Sequence, residues 1–284
     1  MTYLKKLNIW DTDFRAIISE NLINTIKRKI LKNGGPKELY NITKITPTVY
    51  YRVLNGKGSS IKNYEKIINF LKINKSIAEK EIIGLTYNGG KFIYPYIKEL
   101  NPLLFRIICH IIGDGDVASK NTSRWIQHKS NSHWLSELIK AELGFFPTKT
   151  KNNNCDMVTI SAYFSKLAKY ILDININSIK NYKTIKKFLG LPKEYQIQFI
   201  GAFIVDEGHI RYKKARSCII SQNNKKFLSF VSYLLDSLEY KHSRVKKEID
   251  KNGFVIYRMN IYIEGMLKFY KVINNLINKY GKYA

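Results

Sequence analysis

The sequence predicts an α+β fold built from a duplicated unit, and three observations carry that expectation. Two apolar runs end in an acid followed by glycine: Ile107-Ile108-Cys109-His110-Ile111-Ile112-Gly113-Asp114-Gly115 and Ile200-Gly201-Ala202-Phe203-Ile204-Val205-Asp206-Glu207-Gly208. Their acids, Asp114 and Glu207, stand 93 positions apart, a domain-sized interval. The segments downstream of each acid then follow in matching order. A small helical domain is expected ahead of the duplication.

Residues 14–85 read as short helices. Phe14 to Leu31 places Ile17, Ile18, Leu22, Ile26 and Ile30 at a helical period. Asn33-Gly34-Gly35-Pro36 ends that helix, and Pro36 to Tyr40 forms the next. Thr46-Pro47 is an N-cap with Pro at the first helical position, and its helix runs to about Leu54. Asn55-Gly56-Lys57-Gly58 is a turn. Ser60 caps a helix over Ile61–Leu71, and Ser76 caps a short last one. Short helix, tight turn and a helix opening Thr-Pro-Thr resembles a repressor-like helix-turn-helix. In that arrangement Thr48, Tyr51, Arg52 and Lys57 face DNA. The domains expected are 1–87 helical, 88–97 a linker around Asn88-Gly89-Gly90, 98–192 the first repeat and 193–284 the second.

Each repeat reads as helix, two short strands, helix, two strands, helix. After the first acid come Arg124–His128, the helix Ser132–Leu143, strand-like Phe146–Lys151 and Val158–Ser161, and the helix Ala162–Leu172. After the second come Arg216–Gln222, Asn224–Leu238, Tyr240–Glu248, Phe254–Ile261 and Glu264–Tyr280. An offset of 95 lays Gln127 on Gln222, Lys149 on Arg244 and Lys151 on Lys246.

Composition narrows the function. The 284 residues are 45% apolar and 25% charged, ordinary for a globular protein. No run approaches the ~18 apolar residues of a membrane span, and residues 1–10 hold no apolar signal core. The three cysteines are odd in number and far apart, which suits reduced thiols in a cytoplasmic protein rather than a disulfide framework. There is no CxxC pair, and the five histidines do not cluster with cysteine, which argues against structural zinc. The net charge is +26. Residues 1–100 carry 18 basic and 8 acidic side chains, and the remainder 30 and 14, so the excess is spread along the chain. Coding DNA rich in A and T accounts for abundant lysine, but not for scarce acids. A fold this basic repels itself unless a polyanion screens it, which points to nucleic acid.

With its two motifs, the chain over roughly 98–284 resembles the LAGLIDADG homing endonucleases. The resemblance implies two pseudo-symmetric αββαββα repeats forming a DNA-binding saddle, in a single monomeric chain. The motif helices pack together through small residues such as Cys109, Gly113, Gly201 and Ala202. The resemblance further implies that the acids Asp114 and Glu207 hold Mg²⁺ or Mn²⁺ between the strands of double-stranded DNA, with Gly113 and Asp206 contributing through the backbone. Glycine after each acid, Gly115 and Gly208, lets the chain leave the helix.

Gln127, Gln222, Lys151 and Lys246 are the further candidates for the catalytic centres. Arg124, Lys149, Arg211, Lys213, Lys214, Arg216 and Arg244 are candidates for DNA contact, with Arg211–Arg216 a dense basic hairpin. The departures are His110 within the first motif helix, expected as partly exposed or internally satisfied, and Asp206 before the second acid, its side chain expected toward solvent or DNA. Asp116 is expected as a polar hairpin residue. The chain starts without an intein-type Cys or Ser and ends without His-Asn, which reads as free-standing. The activity implied is double-strand DNA cleavage at a long asymmetric site. The alternatives are a DNA-binding regulator on a decayed endonuclease core, and a maturase acting on intron RNA.

Overall fold

A computed structural model describes residues 4–86, 93–113, 115–119, 122–144, 148–152, 155–161, 163–173, 186–211, 217–262, 264–268 and 271. The chain divides into two compact units, one of residues 6–98 and one of residues 1–5 with 99–284.

The N-terminal unit contains β1 (Arg15–Ile18), α1 (Glu20–Lys32), α2 (Gly35–Thr43), α3 (Pro47–Leu54), β2 (Ser59–Ser60), α4 (Ile61–Phe70), α5 (Lys75–Lys80) and β3 (Ile82–Thr86). It is therefore not all-α: β2, β1 and β3 form an antiparallel sheet in that order. The expected helix from Phe14 is corrected by its first residues. Ala16, Ile17 and Ile18 are consecutively buried, and three such residues in a row suit a strand covered on both faces. Ser19 then opens α1, its hydroxyl accepting from Leu22 N at 3.2 Å and donating to Glu81. From Leu22 onward the helical period holds, with Leu22, Ile23, Ile26 and Ile30 buried. Gly34 at φ 88° turns the chain between α1 and α2. Asn74, not Ser76, caps α5, accepting from Ser76 N at 2.8 Å and Ile77 N at 3.4 Å. The expected linker is also shorter at its C-terminal end. Tyr94 exchanges backbone hydrogen bonds of 2.7 and 2.8 Å with Leu85 and is buried, so it belongs to the sheet. Residues 87–92, including Asn88-Gly89-Gly90, lie outside the described residues.

The second unit runs α6 (Pro102–Gly113), β4 (Gly115–Ser119), β5 (Thr122–His128), α7 (Lys129–Leu143), β6 (Thr148–Asn152), β7 (Cys155–Ser161) and α8 (Tyr163–Leu172). It continues with α9 (Lys193–Glu207), β8 (Gly208–Arg211), β9 (Ser217–Gln222), α10 (Lys225–Ser237), β10 (Lys246–Ile249) and β11 (Val255–Ile261). Residues 264–268 are helical, and most of the last expected helix lies outside the described residues. The fold is mixed helix and antiparallel sheet, as expected. Its two four-stranded sheets share one strand order, β4-β5-β7-β6 and β8-β9-β11-β10.

The inner face of the second sheet follows from burial. Cys218 and Ile220 pair with Ile261 and Met259, all four are buried, and α10 packs on this side. Ser221, Arg258 and Asn260 alternate onto the outer face. α9 is buried all round from Tyr195 to Ile204, as suits a helix at the centre of a unit. Phe199 packs against Phe188, Phe203, Phe227 and Phe230 with centroids 4.9 to 6.3 Å apart. Among the described residues no helix is long and apolar enough to cross a membrane.

Candidate nucleic-acid interface and the paired motif helices

α6 and α9 pack against each other extensively. Arg106 Nη1 donates to Gln198 Oε1 at 3.3 Å, and further along His110 Nδ1 lies 2.9 Å from Asp206 Oδ1, so the helices run side by side in the same sense. Arg106 Nε also donates to His110 Nε2 at 3.4 Å. An arginine always donates, so Nε2 accepts, and the His110 proton sits on Nδ1, pointing at Asp206. Both side chains of the His110–Asp206 pair are 0% exposed, and Arg106 is 3% exposed.

This seam corrects one expectation. The Asp206 side chain faces neither solvent nor DNA; it is turned inward, where a buried guanidinium demands a nearby negative charge. His110 is fully buried and internally bonded rather than partly exposed. Cys109, Gly201 and Ala202 are buried, as close helix packing requires. Burial pushes the Cys109 thiol well up, with Arg106 pulling it down and Asp206 adding to the rise.

Glu207 ends α9, and Gln222 Nε2 donates to its Oε1 at 2.5 Å. Gln222 shares the inner face of β9 with Cys218 and Ile220, next to β8, which begins immediately after Glu207. The structure thus puts two of the expected candidates, Gln222 and Glu207, in contact. Gly208 is needed there for a different reason from the one expected. Its φ of −90° and ψ of 138° are extended backbone open to any residue. A Cβ, however, would lie 2.2 Å from Ile204 O and 2.7 Å from Cys218 Sγ. Close approach, not left-handed backbone, fixes the glycine.

Asp114 lies outside the described residues, between Gly113 at the end of α6 and Gly115 at the start of β4. Gln127 on β5 pairs with Asp156, which pairs in turn with Lys151 on β6. The corresponding line in the second sheet is Gln222, Tyr257, Lys247. Lys247, not Lys246, is therefore the counterpart of Lys151; the third strand is displaced by one residue, which exchanges the faces of the sheet. Lys246 pairs with Arg258 on β10, the edge opposite β8. Three strand spacings of about 4.8 Å separate its backbone from the strand that follows Glu207. The structure does not bring Lys246 to Glu207.

Of the expected DNA contacts, Thr48, Tyr51 and Arg52 are exposed on α3, and Lys57 is exposed in the turn after it. Arg124 pairs with Asp116 and Thr159, Lys149 with Val158, and Arg211 with Ser217. Arg244 is exposed just before β10. Lys213, Lys214 and Arg216 lie outside the described residues. Among residues the sequence reading passed over, Arg258 stands out on the outer face, donating to Ser221 Oγ at 3.2 Å and Glu248 Oε2 at 2.5 Å. Its alternation with Met259 and Ile261 was the available signal. Arg106 and Gln198 were passed over too, although a charge and an amide inside apolar helical runs mark a buried polar seam.

No protein-family model and no curated protein matches the chain. Among solved structures, it is similar to mesophilic variants of the homing endonuclease I-DmoI at 22% identity and TM-score 0.40, covering 61% of this chain and 94% of that one. It is similar to I-DmoI in complex with DNA and Mn at 19% identity and TM-score 0.39, covering 61% and 96%. It is also similar to the N-terminal LAGLIDADG domain of DUF199/WhiA at 11% identity and TM-score 0.39, covering 61% and 80%. Identities and TM-scores of this size define neither family nor activity.

Proposed function

We propose that this chain is a LAGLIDADG-type, site-specific DNA endonuclease. In this reading it is monomeric, with internal pseudo-two-fold symmetry, and cleaves both strands of a long asymmetric duplex. One observation carries the reading. Two motif helices lie side by side, each leads through glycine into a four-stranded sheet of the same strand order, and Gln222 holds the carboxylate that ends the second. A net charge of +26 supplies attraction to the duplex.

The donor set fits a hard divalent cation: it is all oxygen, and the Glu207 carboxylate is oriented by an amide donor, as ligating carboxylates usually are. Glu207 and Asp114 would hold Mg²⁺ or Mn²⁺, with the backbone carbonyls of Gly113 and Asp206 beside them. Among the described residues no three His, Cys, Asp or Glu cluster as a metal site. Mg²⁺ takes few protein ligands, and phosphate and water complete its shell. When bound, the cation lowers the pKa of a water and neutralises phosphate charge. The chain's own part is to fix the acids. The His110–Asp206 pair locks the last turn of α9, and Gln222 sets the rotamer of Glu207. Gln127 would play the same part in the first repeat. The outer face of the second sheet, with Arg258, Lys246 and Asn260, would lie along the groove, and α3 of the N-terminal unit would extend the contact as a helix-turn-helix.

Incubating the protein with randomised duplex DNA and Mg²⁺, then sequencing the ends, tests this. Enrichment of one long asymmetric site among cut ends is expected. Tight duplex binding without cut ends would favour a regulator on a decayed core, and selective binding of folded RNA over duplex DNA a maturase.

A further inference from the structure

Among the described residues of the N-terminal unit, Arg15 has no counter-ion. Arg15 opens the central strand β1, paired with Ser60 on one side and Thr86 on the other. Its Nε is closed off from solvent while the residue as a whole stays partly exposed. Among the described residues its side chain has neither a hydrogen-bond acceptor nor an ion-pair partner. β2 pairs with β1, and α3 packs on β2, which carries the last turn of α3 and its Arg52 toward Arg15. Lys57 N donates to Arg52 O at 2.9 Å, folding the turn back onto the end of α3. Arg52 and Lys57 are exposed, and no described carboxylate pairs with either. Burial, and then the charge of Arg52, hold the Arg15 guanidinium below its ordinary pKa. Like charges gathered with no described carboxylate paired to them cost free energy that the fold leaves unrelieved. A phosphate oxyanion relieves it, because guanidinium groups present paired donors that match phosphate.

We propose that Arg15, Arg52 and Lys57 form a phosphate site on the N-terminal unit that grips the backbone of duplex DNA. The proposal rests on the nucleic-acid reading above and gives Arg52, in the last turn of α3, a phosphate to hold rather than a base to read. Such a contact sets position on the duplex and carries no sequence information. The surrounding charge favours a polyanion over a free anion, since residues 1–100 hold 18 basic side chains against 8 acidic.

The test uses the full chain as wild type, Arg15→Met and Arg52→Gln, with a fixed duplex titrated at several NaCl concentrations. Each variant is expected to flatten the slope of log affinity against log salt by about 0.9, the share of one phosphate. Base preference is expected to stay unchanged. Without DNA, Arg15→Met is expected to melt above wild type, because burial and repulsion of the charge are both relieved. An arm with inorganic phosphate is expected to raise the wild-type melting temperature less than duplex does; an equal rise would overturn the duplex assignment. Unchanged slopes in both variants, with steep wild-type binding, would overturn the site and leave the DNA reading standing. So would altered base preference at unchanged slope, or a lower melting temperature for Arg15→Met with no change in slope. A wild-type chain that does not bind duplex would overturn both.

Discussion

Replacing Asp206 by alanine is expected to destabilise the second unit strongly, although Asp206 sits one residue from a site expected to meet solvent and DNA. The His110–Asp206 pair is 2.9 Å long, neither side chain is exposed, and the buried Arg106 leans on the same histidine at 3.4 Å. Alanine takes away the acceptor that lies 2.9 Å from His110 Nδ1 and removes a buried negative charge from the seam that holds Arg106. Removing one partner of a buried pair costs about 3–5 kcal/mol. At about 2–4 °C per kcal/mol for a unit of this size, the melting temperature should fall by roughly 6–20 °C. Asp206→Asn keeps an acceptor for His110 and loses only charge, so it should cost about 1.5–3 kcal/mol. Replacing Arg106, His110 and Asp206 together by Met, Leu and Leu should be near neutral, because apolar residues of similar volume match a buried ion network. Scanning calorimetry of the full chain reads all three. An Asp206→Ala variant within about 1 kcal/mol of wild type, the range of an exposed pair, would refute the buried-network account.

Three further outcomes follow from the same geometry. Gly208→Ala should disrupt the exit from α9, since its Cβ would stand 2.2 Å from a backbone carbonyl; a variant with wild-type unfolding midpoint would contradict the close approach. Burial pushes the Cys218 thiol up to about 11, so the folded chain holds that proton more tightly than the unfolded one. The stability this supplies is complete below the ordinary thiol value and falls between pH of about 9 and 11; Cys218→Ala should flatten that part of the urea-midpoint profile, and an unchanged profile would dismiss the assignment. Duplex affinity should fall steeply with salt, with a log–log slope near −9 if about ten phosphates are neutralised; a slope shallower than about −3 would place most of the basic excess away from the interface.

Much of the second unit was legible because its signals are local and repeated. An acid-glycine after an apolar run, followed by strand, helix and strand patterns in the same order twice, leaves few alternatives. What escaped depended on neighbours that sequence does not display. The run Arg15–Ile18 sits at a helical period with Leu22 and Ile26, yet pairing with β3 makes it a strand. Lys246 and Lys247 are adjacent and identical, and only the cross-strand register selects Lys247 as the partner of Tyr257. Asp206 turns inward because Arg106 and His110, about a hundred positions earlier, need its charge. Gly208 is fixed by a carbonyl one turn back and by a thiol on the next strand. At the candidate site, matching sequence positions singled out Gln222, which the fold sets against Glu207.

The central claim, that Asp114 and Glu207 are needed for DNA cleavage, is tested most directly with Asp114→Asn and Glu207→Gln on one selected duplex, scoring strand-resolved cleavage and affinity in Mg²⁺. Each substitution removes the carboxylate charge proposed to hold the cation and keeps the side chain's size. The account predicts loss of double-strand cutting in both variants, with affinity equal to or above wild type. Wild-type cutting of both strands by both variants would contradict it.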